Sequence, residues 1–333
     1  MSNARTCFNG RQALPIVLAC LIALAPPAAS AQQIWVTPVF HYLQPSNDIW
    51  DLFQDSNPGW SSTYSHMDVF KTGIVMPRNW AKQRLIATGN PKPTDPEVEA
   101  YIDPYLLKMF DYLDARHIKV ALEMGMANLP ESYTGPRLEG TDKRAAFLAD
   151  RFCQEIVRDH GHIDYICMDE PLWFAHYDRK GWQADIPTVA QSVAPTVAVY
   201  RKYFPNIQFI DEEPPDGYPC KIDPSTGLPQ FVADQQQWLD AFKSACGVPI
   251  EGIQLDLHWS QDQRPFLPPL MPVYKRNNVK VGVFFIGGAP KATATDEEEM
   301  TSLRSHIVYW RNLQDAWGKE NFPDLDMAIF QDW

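Results

Sequence analysis

Residues 163–173 read Ile-Asp-Tyr-Ile-Cys-Met-Asp-Glu-Pro-Leu-Trp. The run starts as an apolar, partly β-branched strand and stops in two acids and a proline, which cannot donate to a sheet ladder and so marks a strand end. Residues 187–204 then have helical period, and residues 207–211, Ile-Gln-Phe-Ile-Asp, form a second short apolar run. Strand, helix, strand is the repeating unit of a parallel sheet, because parallel strands need a crossover long enough to hold a helix.

Outward from this unit the same alternation continues. Eight apolar or β-branched runs stand at residues 34–40, 67–71 (extending toward 75), 118–123, 163–169, 207–211, 252–258, 279–286 and 326–330. Helical period occupies 104–116, 141–160, 187–204, 231–245 and 296–317. In the last of these, Met300, Leu303, Ile307, Trp310, Leu313 and Trp317 recur at steps of three and four, one apolar stripe to cover a sheet. Residues 266–277 are crowded with prolines, so a helix there is expected to be short. Eight strands with intervening helices predict an α/β protein, a single (β/α)8 TIM-type barrel over residues 32–333 whose eighth outer helix is absent or replaced by the N-terminal segment. The rival, a doubly wound open sheet, lacks its glycine-rich G-x-G-x-x-G turn here, and no phosphate loop occurs either. Segments 44–63, 78–98, 128–140 and 214–230 are rich in Pro, Gly, Ser, Asn and Asp and read as loops after strands, the face on which barrels place substrates.

Residues 1–31 read as an export leader: Arg5 and Arg11, an apolar core over 14–25, Pro26-Pro27, and Ala29-Ser30-Ala31 as a cleavage pattern after Ala31. Lipoprotein processing at Cys20 is the rival. A periplasmic or secreted location follows as an expectation, and no later apolar run is long enough for a membrane span. The formal charge of −12 becomes −14 once the two leader arginines are removed. That acidity argues against nucleic acid as a partner. Outside the leader stand Cys153, Cys167, Cys220 and Cys246; Cys220 and Cys246 are a candidate bridge, and Cys167 in its apolar run reads as a small buried hydrophobe.

The chemistry is expected where the strands end. A carboxyl over an apolar barrel mouth, beside a second carboxyl and Trp173, is predicted to be held protonated by desolvation and like charge, as a general acid must be. Asp169 and Glu170 are therefore the first candidates. A second carboxylate is sought among Glu123, the run Asp211-Glu212-Glu213, Asp256 and Asp332, with Asp256 ranked first because alternation sets it on one face with His258, and Trp259 follows. Among the eleven tryptophans, Trp80, Trp173, Trp182 and Trp259 fall in expected strand-end loops, where flat rings suit sugar faces. Lys71 and His41, near the ends of the second and first strands, are candidate hydrogen-bond donors to substrate. Glu297-Glu298-Glu299 suits a helix first turn and is assigned no role.

Asp169-Glu170-Pro171 at the fourth strand end resembles the acid/base position of TIM-barrel glycoside hydrolases. In the large retaining superfamily of cellulases and β-glycosidases the strand ends in Asn-Glu-Pro, with the Glu as proton donor, a role that the resemblance carries to Glu170. Asp169 stands where that superfamily has Asn, and residues 281–288 (Val-Gly-Val-Phe-Phe-Ile-Gly-Gly) lack its strand-seven Glu. The adjacent Asp-Glu pair is also similar to that of substrate-assisted hexosaminidases, where the Asp orients an acetamido group and the Glu donates the proton. The resemblance implies a carbohydrate substrate and no cofactor. The alternatives are a non-catalytic glycan-binding or polysaccharide-export accessory protein on the same scaffold, and a metal-dependent hydrolase in which His41, Asp169, Asp256 and His258 converge; no H-x-H or H-E-x-x-H signature supports the latter.

Overall fold

Each of the eight apolar runs becomes a strand in the computed structural model, which describes residues 32–38, 50, 52–53, 65–73, 76–127, 144–178, 183–219, 221–287 and 296–332. The strands are β1 (Gln33–Pro38), β2 (Val69–Gly73), β3 (Lys119–Met124), β4 (Tyr165–Asp169), β5 (Gln208–Glu213), β6 (Gly252–Leu255), β7 (Lys280–Gly287) and β8 (Met327–Asp332). They pair in sequence order, all parallel, and β8 closes on β1. The expected TIM-type barrel is the observed one.

The described α-helices are α1 (Met76–Ala87), α2 (Asp95–Asp114), α3 (Arg144–Arg158), α4 (Ile186–Tyr203), α5 (Gln230–Cys246), α6 (Leu267–Asn277) and α7 (Asp296–Trp317). Among the described residues none follows β8. No helix of these residues is long and apolar enough to cross a membrane. The chain divides into Met1–Gln32 and a compact unit Gln33–Trp333; the expected leader, residues 1–31, lies outside the described residues.

One segment expected as a loop is largely helical. Residues 78–98 hold most of α1 and the start of α2. The proline and asparagine content misleads because Pro77 sits in the first turn of α1, where no helical N–H is lost. Thr94 and Glu97 form a capping box, Thr94 donating its N–H and hydroxyl to the Glu97 carboxylate at 2.7 and 2.8 Å. Trp80, expected in a loop and free to stack on sugar, is instead buried on α1 against Trp50, Tyr101 and Tyr105. Burying a ring of that size stabilises the fold by roughly 2–3 kcal/mol, which outweighs the weak local turn signal.

Alternation divides every strand between two cores. Outward residues such as Ile166 and Met168 of β4 pack under the helices. Inward residues Trp35, Val69, Ala121, Tyr165, Cys167, Ile210, Phe284, Met327 and Ile329 fill the barrel. Gly282 and Gly252 permit this filling, since a Cβ at Gly282 would lie 2.8 Å from Met327 Cβ and one at Gly252 would lie 2.9 Å from Met327 Cε. Cys167 is buried as expected; Cys246 is unbridged, and Cys220 lies outside the described residues.

Candidate active site

At the C-terminal end of β4 the extended chain stops at Asp169, the last inward residue of that strand. Glu170 then takes a left-handed backbone with φ +42°. A non-glycine residue there costs roughly 1–2 kcal/mol, so the surroundings must hold it. They do so from β5: the Glu170 N–H donates to the Glu212 carbonyl at 3.1 Å. The Glu213 carboxylate accepts from the N–H groups of Leu172 and Trp173 at 2.6 and 3.1 Å and from the Tyr218 hydroxyl at 2.7 Å. Residues 173–177 then form a π-helical turn, a form that recurs at functional sites. This break lets Asp169 and Glu170, neighbours that alternation alone sends to opposite faces, reach one mouth.

Inside the mouth, the inward positions above the apolar filling are polar. Lys71 of β2 is wholly buried, its ammonium 2.8 Å from Glu123 Oε2 of β3 and 2.5 Å from Glu212 Oε1 of β5. It lies 3.5 Å from Gln254 Oε1 of β6 and 4.3 Å from the centre of the Phe284 ring. One carboxylate oxygen from each of Glu123, Asp169 and Glu212 lies within 4.8 Å of the others. The Lys71 ammonium supplies positive charge to that cluster.

One ammonium cannot offset every acid, and the pKa shifts reflect this. Burial works against the Lys71 charge, yet Glu123 and Glu212 outweigh it and hold the ammonium above the usual lysine range. Burial, then the Glu123 charge, pushes the Asp169 carboxyl up to about 7 despite Lys71. Burial, then Asp169, Asp256 and Glu123, pushes Glu170 up to about 8. Glu212 is raised by burial against the pull of Lys71. Asp256, just past β6, is raised by burial against Lys71 and His258.

The sequence-derived candidates thus divide. Glu123, Asp169, Glu170, Glu212 and Asp256 are brought into one electrostatic cluster. Lys71 is a correction: expected to reach substrate, it is sealed beneath the mouth as the acids' counter-charge. Its signal was present in the sequence, a lysine on the inward parity of an apolar strand. Glu213, expected with Glu212 at substrate, is likewise corrected. It faces the helical layer, buried, and fixes the turn after β4.

His258 and Trp259 differ from expectation because β6 ends at Leu255. His258 gives its N–H to Asp216 Oδ2 at 2.7 Å and sets Nδ1 2.8 Å from Asp216 Oδ1. Gln263 Nε2 donates to the same Oδ2 at 2.7 Å, so Asp216, missed in the sequence, ties the turn after β5 to the loop after β6. Trp259 is stacked on His306 with ring centroids 4.5 Å apart, and its Nε1 donates to the Phe284 carbonyl at 3.1 Å. The Trp173 ring lies over Gly217 and stacks with Tyr218. His41 and Trp182 lie outside the described residues.

No protein-family model and no curated protein match this chain. Similar solved structures include glycoside hydrolases on TIM barrels. The Ignisphaera aggregans GH53 catalytic domain is 8% identical, with a TM-score of 0.48, covering 91% of this chain and 80% of that one. A psychrophilic glycoside hydrolase family 10 endo-β-1,4-xylanase is 12% identical at TM-score 0.44, covering 91% and 86%. A 7,8-dihydropteroate synthase from Vibrio fischeri ES114 is similar to the same degree, at 9% identity and TM-score 0.46, covering 90% and 87%. Likeness this distant carries no chemistry across, and the fold hosts many reactions.

Proposed function

We propose that this chain is an exported glycoside hydrolase acting on a polysaccharide or oligosaccharide, with Glu170 as proton donor and Asp169 beside it. The observation that carries the reading is the placement of Glu170. It sits at the β4 end in a left-handed backbone held from β5, beside Asp169, and burial and like charge push its carboxyl up to about 8. A carboxyl that retains its proton near neutral pH can give it to a leaving oxygen. The glycosidic C–O bond breaks, its electron pair stays on the leaving oxygen, and that oxygen takes the Glu170 proton. Water supplies hydroxyl to the anomeric carbon and its remaining proton restores the acid, so the sum is one water added per bond broken.

Glu170→Gln tests the assignment, because the amide keeps the shape and removes the transferable proton. With aryl glycosides and a panel of polysaccharides, kcat is expected to fall about 10²- to 10⁴-fold while glycan binding persists. An unchanged kcat would remove Glu170 from the reaction. Glycan binding without turnover in the wild type would favour the accessory-protein reading.

A further inference from the structure

We propose that Glu123, held by Lys71, is the second carboxylate of this site, the group that faces the positive charge developing on the sugar as the bond to the leaving oxygen breaks. The inference rests on the hydrolase reading above and supplies its missing partner. From the sequence Asp256 ranks first for this part; the geometry points to the end of β3.

Two properties are needed in one residue: direct contact with a cation that fixes the carboxylate in place, and enough exposure to meet a substrate. Glu123 combines them. Its Oε2 is 2.8 Å from the Lys71 ammonium, and its side chain is 24% exposed, whereas Glu212, the other partner of Lys71, is 6% exposed. Asp256 has no lysine or arginine among its ion pairs in the described residues. It feels Lys71 only as a weaker influence than burial.

The groups near Glu123 come from both neighbouring strands and from beyond them. Lys71 faces it from β2, Cys167 and Asp169 from β4, and Glu212 from β5; Glu170 and Asp256 feel its charge from the turns after β4 and β6, and Gln254 of β6 touches Lys71. Negative charge on Glu123 is among the causes that raise Asp169, Glu170, Glu212 and Asp256 alike. The Glu123 charge thus joins those of Asp169 and Asp256 in helping Glu170 to keep a proton. Lys71 does not touch substrate; it is a positioning residue that acts through Glu123.

The experiment compares the wild-type chain with Glu123→Gln, Glu123→Ala and Lys71→Met, on an aryl glycoside that the wild type hydrolyses. Glu123→Gln is expected to lower kcat about a thousandfold, the size of loss seen when a group that stabilises transition-state charge is removed. Azide added to Glu123→Ala is expected to restore turnover and yield glycosyl azide, since a small anion fills the space of the missing carboxylate. In Lys71→Met the acid limb of kcat/KM is expected to move to higher pH, a change that simple loosening of the barrel would not produce. Circular dichroism and the recovery by azide show whether Glu123→Ala remains folded. If Glu123→Gln keeps kcat within tenfold of wild type while Glu170→Gln is inactive, the role of Glu123 is overturned and the hydrolase reading stands. If the wild type cleaves no glycoside, both fall.

Discussion

Replacing Lys71 by methionine keeps the length and volume of the side chain and deletes only the ammonium. Lys71 is the cation 2.5–2.8 Å from Glu212 and Glu123, in a position without solvent access. Breaking a buried pair from one side costs about 3–5 kcal/mol, because an uncompensated charge remains. Glu123 reaches solvent with 24% of its side chain and recovers part of that cost, so the expected loss is ~3 kcal/mol at pH 8. The pH dependence has a definite sign. The Lys71 ammonium itself stays charged from pH 5 to 8 in both folded and unfolded chains, because its folded pKa is raised above the unfolded lysine value of about 10.4. Burial already holds Glu212 and Asp169 above their unfolded values against the pull of Lys71, and without the ammonium they rise further and hold protons that the unfolded chain releases. Stability therefore falls as pH rises through that window. Urea unfolding midpoints at pH 5 and pH 8 measure this: the penalty should be small at pH 5 and full at pH 8, and Lys71→Met with Glu123→Gln should cost less than the sum of the singles. A penalty below about 1 kcal/mol at pH 8, or strict additivity, would refute the idea that Lys71 is the counter-charge.

Three further outcomes follow from the same structure. The basic limb of kcat/KM on a glycoside should lie near pH 8, where Glu170 loses its proton, and a limb above pH 10 would assign the acid elsewhere. Asp211, buried between β5 and α5 with Trp238 Nε1 donating to it at 2.8 Å, is pushed up to about 8 by burial. Its native form binds a proton that the unfolded chain releases above pH ~4, so stability is lost as pH rises toward 8. Asp211→Asn should thus stabilise the chain at pH 8, by at most ~5 kcal/mol, and leave it unchanged at pH 4, as read from urea midpoints. Gly282→Ala should cost ~1–3 kcal/mol in the same assay, since the new Cβ meets Met327 Cβ at 2.8 Å and Ile329 Cδ1 at 2.9 Å; a neutral effect would mean that the barrel filling yields easily.

The sequence by itself determined the barrel and singled out the strand ends at which its carboxylates gather. Eight short apolar runs alternating with helical period, without the glycine-rich turn of an open doubly wound sheet, point to a closed parallel sheet, and the Asp-Glu-Pro stop at the end of β4 marks the mouth. Those are local signals, written in periodicity and in the chemistry of proline. It did not determine which acids meet, because this depends on strand register and on which face each residue takes where the extended chain breaks. Glu212 and Glu213 are adjacent and chemically alike, yet one faces the barrel beside Lys71 and the other binds the turn after β4 from outside. The tertiary structure alone made that division, as it also joined Lys71 to Glu123 across two strands and buried Trp80 on a helix. A pairwise contact between residues fifty or more positions apart leaves no trace in local periodicity, and the charge state of a carboxylate is fixed by neighbours that only the closed barrel brings together.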